Sequence, residues 1–110
     1  KEEGGNYYIE LSDAPKRGGH KPAVYVMLDT LVDLKVNKLV GVIMTGIGAD
    51  GMEGFELLKK YRKNIQVIAQ NEETCVVYGM PKSVVQKGLA DVVVPLDDIP
   101  KEIVKNTGVL

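Results

Sequence analysis

The chain of 110 residues predicts an α/β fold. A mostly parallel sheet is flanked by helices in a Rossmann-like three-layer α/β/α arrangement, incomplete, with an N-terminal hairpin strand. Three observations carry this reading. Strand and helix patterns alternate as βαβαβα from Leu39 to the end. The strand segments are apolar on both faces, as in buried parallel strands. A glycine-rich turn, Thr45 to Gly51, joins the first of these strands to its helix.

The elements follow in order. The alternation Tyr7-Tyr8-Ile9-Glu10-Leu11 reads as a short strand, one arm of a hairpin with its partner upstream. Ser12 to Gly19 is turn-rich, and Pro22 suits a first helical turn. Val24, Met27, Leu28, Leu31 and Leu34 then recur at helical spacing. Leu39 to Met44 is the first buried strand. Met52, Phe55, Leu58 and Tyr61 mark one face of a helix, with Glu53, Glu56, Lys59 and Lys60 outside it. Ile65 to Ala69 is the next strand. A long connection, Asn71 to Gly79, leads to a helix opened by Pro81 and ended by Gly88. Ala90 to Val94 is the third strand, and Asp97 or Asp98 is expected to cap a last helix with Pro100 in its first turn. In such sheets sites lie beyond the carboxyl ends of the strands, which directs attention to the loops after Met44, Ala69 and Val94.

Composition bounds the function. Hydrophobic residues make up 45% and charged residues 26%, an ordinary globular balance. Lys+Arg is 14 against 15 Asp+Glu, so the chain lacks the basic footprint of a nucleic-acid binder. No apolar run approaches the roughly 20 residues of a membrane-spanning helix, so no membrane insertion is expected. The single cysteine excludes an internal disulfide and a cysteine-built zinc site; neither a metal nor a cofactor is expected. One free thiol suits a reducing cytoplasm, the expected location. The first residue is Lys1 rather than Met, consistent with a piece of a longer chain.

The informative segment is Thr45-Gly46-Ile47-Gly48-Ala49-Asp50-Gly51. Gly46, Gly48 and Gly51 match G-x-G-x-x-G, the dinucleotide-binding pattern, and Glu72 lies near the distance of its ribose-binding acid. Asp50 opposes that reading, because a carboxylate in the turn repels a pyrophosphate and competes for its N–H donors. With 12 glycines in the chain, such spacing also arises by chance. The alternative starts from Asp50 itself. Its commoner role is a helix cap. The functional alternative, which position alone leaves open, is the orienting acid of a Ser-His-Asp triad, which fixes the histidine tautomer and stabilises the imidazolium.

Three blocks resemble chemotaxis protein-glutamate methylesterases, the CheB family. They are Val42 to Gly51, Ile68 to Pro81, and His20-Lys21-Pro22-Ala23, with similarity continuing through Ala90 to Pro95. The resemblance covers nearly the whole chain. It implies an α/β hydrolase-like sheet that hydrolyses glutamate methyl esters on the cytoplasmic helices of methyl-accepting chemoreceptors, with glutamine deamidation in many members. It implies a serine, a histidine and an aspartate in that chain order, with Asp50 at the aspartate position. It also implies that residues 1–110 form the C-terminal portion of one catalytic domain. The upstream serine and histidine segments and the regulatory receiver domain are absent. Ile47 stands where these enzymes often carry methionine.

The chain offers no triad of its own. His20 matches a family position that is not the catalytic histidine and reads as a cap or packing residue. Ser12 lies in a turn and Ser83 in a helix, neither in a G-x-S-x-G elbow. Cys75 has no local base and reads as a structural thiol. Gln70, Asn71 and Glu72 could line the cleft or satisfy loop backbone groups. The expectation is a methylesterase catalytic-domain piece, inactive by itself, with missing strands leaving an open sheet edge. Two other readings stand beside it: a dinucleotide-binding module, and a non-catalytic interaction domain that kept the fold and lost the chemistry.

Overall fold

The computed structural model describes residues 1–11, 13, 15 and 23–108. In chain order the elements are β1 (Glu2–Glu3), β2 (Asn6–Tyr7), α1 (Val24–Asp29), β3 (Leu39–Ile43), α2 (Asp50–Tyr61), β4 (Ile65–Gln70), α3 (Gly79–Gln86), β5 (Val92–Val94) and α4 (Ile99–Thr107). Short 3₁₀ turns occupy Glu72–Thr74 and Leu96–Asp98. β3, β4 and β5 form one parallel sheet in that order, with Val42 opposite Ile68 and Ile68 opposite Val92. β1 and β2 pair as a separate antiparallel hairpin.

Alternation along β4 divides the core. Ile65, Val67 and Ala69 join Leu28, Ile43, Phe55, Leu58, Val84 and Leu89 in the cluster under α1, α2 and α3. Ile68 points to the other face, where α4 packs on β3 and β4 and buries Ile99. The three layers are those expected. A Cβ at Gly54 would collide with Leu28 Cδ1 and stand 2.8 Å from its Cβ, so glycine here sets how closely α1 approaches α2. Among the described residues no strand lies on the far side of β3. Its apolar residues Leu39 to Val42 therefore stay half-buried, beside a groove shared with Met27 and Leu31.

Several boundaries differ from the sequence reading, each for a physical reason. The strand expected over Tyr7 to Leu11 ends at Tyr7. Its partner is upstream, as expected, but Ile9 and Leu11 are 97% and 94% exposed, with none of the described residues covering them. The helix expected to reach Leu34 stops at Asp29. There the Arg62 guanidinium, at the end of α2, donates to the carbonyls of Leu31, Val32, Leu34 and Val36 and holds them as an irregular turn. β5 starts at Val92 because the Asp91 carboxylate takes the Val67 N–H (2.7 Å) and pairs with Lys59 (2.6 Å). α3 begins at Gly79, with the buried Pro81 in its first turn, and closes at Gly88 through the Leu89 N–H on the Val84 carbonyl. Pro100 sits in the first turn of α4 as expected, but Asp98, at the cap position, makes no side-chain cap bond. The preceding 3₁₀ turn supplies the helix start through the Asp98 N–H on the Pro95 carbonyl. His20, Ser12, Lys21 and Pro22 lie outside the described residues.

Arg62 thus ties the α1–β3 connection to α2. Replacing it by Met in the intact protein keeps much of the aliphatic stem and removes the charge-assisted bonds. The expected cost is about 2–4 kcal/mol, read as a lowered urea midpoint with an unchanged slope.

Candidate functional site

Parallel strands that end side by side leave terminal N–H and C=O groups needing partners. At the carboxyl ends of β3, β4 and β5 they are satisfied by one another's loops. Gln70, the last residue of β4, is 1% exposed. Its Oε1 accepts from the Thr45 N–H (2.8 Å), and its Nε2 donates to the Thr74 carbonyl (2.8 Å) and hydroxyl (3.2 Å). The Thr74 hydroxyl donates to Asn71 Oδ1 (2.6 Å) and accepts from the Leu96 N–H (3.1 Å), which brings in the loop after β5. Thr45 Oγ1 exchanges bonds with the Val77 carbonyl (2.9 Å) and N–H (2.8 Å). The Gly46 N–H reaches the Val77 carbonyl and the Met80 N–H reaches the Gly46 carbonyl, both at 2.9 Å.

This stitching fixes the turn that launches α2. Gly48 takes φ +96°, a conformation that favours glycine and lets the chain reverse from β3 into the helix. Asp50 is the first residue of α2, and Ala49 holds the cap position without a side-chain cap bond. The Asp50 carboxylate, half-buried, does not cap its own helix. It accepts the N–H of Val24 on Oδ2 and that of Tyr25 on Oδ1 (3.1 Å). It thereby caps α1, whose own cap residue, Ala23, has no side chain able to do so. The capping role is real, but on a different helix from the one the sequence position suggested. An ionised carboxylate has about four acceptor sites, of which α1 takes two among the described residues.

The other sequence candidates divide. Gln70 and Asn71 organise loop backbone; Asn71 Oδ1 also accepts the Thr74 N–H (3.2 Å). Glu72, needed as the ribose acid in the dinucleotide reading, is exposed on the 3₁₀ turn. Ser83 Oγ bonds the Met80 carbonyl within α3 (2.7 Å). Cys75 is half-buried, with Sγ 4.0 Å from the Gln70 carbonyl. Burial first, and then the nearby Glu72 charge, raise its thiol above the ordinary range, against a smaller opposing effect of Thr45. Ile47 is 81% exposed at the tip of the turn. Sequence reasoning missed Thr45 and Thr74. No spacing rule marks a threonine as a hub for three loops. Among the described residues no group of three or more His, Cys, Asp or Glu could hold a metal ion, and no helix is long and apolar enough to cross a membrane.

Comparison with known proteins places this geometry. The CheB methylesterase family profile matches residues 3–103. A protein-glutamate methylesterase/protein-glutamine glutaminase of Geobacillus kaustophilus is 42% identical over 108 residues, covering 98% of this chain and 31% of that protein. One of the same description from Pyrococcus abyssi is 42% identical over 102 residues, covering 93% and 27%. The crystal structure of the Thermotoga maritima CheB methylesterase catalytic domain superposes with a TM-score of 0.86 at 39% identity, covering 96% of this chain and 55% of that one. The chain thus spans between a quarter and a third of the curated relatives it matches and about half of that catalytic domain. The chain belongs to the CheB methylesterase family.

Proposed function

We propose that residues 1–110 form the C-terminal portion of a protein-glutamate methylesterase catalytic domain and that Asp50 is the acid of its Ser-His-Asp triad. The rest of the domain supplies the serine and the histidine, and a receiver domain of the parent protein regulates them. The substrates are glutamate methyl esters on the cytoplasmic helices of chemoreceptors, with glutamine side chains as candidates for deamidation, in cytoplasmic chemotaxis adaptation. One observation carries the reading. Asp50, inside the family-like segment Val42 to Gly51, sits just past the carboxyl end of β3 with its carboxylate held by two N–H groups and with acceptor sites beyond those the described residues take.

The chemistry follows from that placement. The histidine Nδ1–H donates to Asp50, leaving Nε2 as the base that takes the serine proton. The serine oxygen attacks the ester carbonyl, and the imidazolium returns the proton to the departing methoxide, which leaves as methanol. Water, activated by the same imidazole, then hydrolyses the glutamyl-serine ester and frees the glutamate. Asp50 stabilises the imidazolium in both halves.

In the intact protein, Asp50→Ala should lower turnover about 10³–10⁴-fold, with KM changed far less. Unchanged turnover in a folded variant would leave Asp50 as a cap only. The 110-residue chain alone, lacking a nucleophile–base pair, should release no methanol from methylated receptor; titratable release would overturn the assignment. Cys75 is the one thiol available as a rival nucleophile. Because its neutral form is favoured, alkylation by iodoacetamide at pH 7 should be slower than that of a free thiol, and its rate should still be climbing at a pH where that of a free thiol has levelled off. Fast alkylation at neutral pH would restore it as a candidate.

A further inference from the structure

Burying a primary amide at the end of a central strand is costly unless every polar atom is matched, and an apolar residue would fill that place without the demand. Gln70 meets the demand through the loop after β3 and the loop that follows its own strand. Its single acceptor bond is to the backbone of Thr45, five residues before Asp50, and its donors go to Thr74, whose hydroxyl also holds Asn71 and Leu96. The amide orientation is dictated by these partners, since Thr45 N–H can only donate and the Thr74 carbonyl can only accept. Downstream of Thr45, the Gly46 N–H and C=O are taken by Val77 and Met80. From Gln70 the bonds run through Thr45 to Gly46, and only Ile47, Gly48 and Ala49 separate Gly46 from the start of α2.

We propose that Gln70 is a positioning residue of the site: its buried amide sets the register between the loops after β3 and β4, and through Thr45 and Gly46 fixes where the turn delivers the Asp50 carboxylate. This rests on the triad reading of Asp50. Gln70 touches neither substrate nor Asp50 and acts through backbone it holds in place.

Gln70→Glu tests this in the intact protein. Ionised, the new carboxylate can still accept from Thr45 N–H but faces the Thr74 carbonyl with no proton between them, and the Thr74 hydroxyl proton is committed to Asn71. Protonated, it regains one donor and mimics the amide. At neutral pH its kcat on methylated receptor should fall about 10–100-fold, the scale of a small misplacement, with KM little changed. The variant-to-wild-type kcat ratio should climb on acidification, beginning above the ordinary glutamate pKa of about 4.3 because burial favours the neutral form. Gln70→Leu should lose activity without that recovery. Folded variants within about twofold of wild type overturn the proposal, as does an equal, pH-independent loss in both. A measurement on the unaltered protein guards against misfolding: the Thr45 amide, in an exposed loop, should exchange with solvent as slowly as those of β4. Fast exchange at Thr45 overturns the clamp. Activity lost in Asp50→Ala but kept in the Gln70 variants sinks this inference alone. Activity kept in Asp50→Ala sinks the triad reading, and the exchange rate then still reports on the clamp.

Discussion

Three parallel strands end at one edge of this sheet, and the rest of the molecule is arranged around satisfying the polar groups they leave there. A buried backbone N–H or C=O without a partner costs on the order of 1–3 kcal/mol. The loops after β3, β4 and β5 meet that requirement mutually, through Thr45, Gln70 and Thr74, so none of the three can shift alone. The same edge is where α/β sheets place their chemistry. Rigidity at this edge is a condition of the fold that becomes available to the site.

The α1–α2 contact works similarly on a longer scale. Leu28 on Gly54 brings the two helices close enough for the first N–H groups of α1 to reach the carboxylate that begins α2. Asp50 thereby stabilises a short helix and is itself immobilised. A six-residue helix is too short to persist alone in water, so it depends on such tertiary support. A capping bond and an orienting acid are compatible uses of one carboxylate, because they occupy different lone pairs.

Much of this was legible in the chain. Runs such as Leu39 to Ile43 and Ile65 to Ala69 are apolar on both faces, and that alone implied a sheet between helices; the breakers Gly88 and Pro100 fell where helices end and begin. Asp50 stood out because a carboxylate in a glycine turn is chemically conspicuous. What stayed hidden was non-local. Helical spacing through Leu34 could not show that Arg62 would take those carbonyls. The alternation at Ile9 and Leu11 could not show that none of the described residues would cover them. That Asp50 caps α1 rather than α2 depends on a helix packing angle, which no local pattern encodes. Gln70 was ambiguous for the same reason, since a strand-terminal glutamine reads alike whether it faces solvent or bridges two loops.

The order β3-β4-β5 matches the order in which the chain is written. Each strand is laid beside its immediate predecessor after one intervening helix, with no strand inserted between two already formed. Every pairing in this sheet therefore closes a loop of similar, moderate length, and the entropy of closure grows only slowly with that length. As the chain emerges from synthesis the sheet can extend one strand at a time, each addition resting on a completed strand–helix layer. Gln70, at the end of β4, joins the loop after β3 to the loop after β4 only when β4 has docked on β3. Docking of β4 on β3 is thus the step at which the loops after these two strands become fixed to each other.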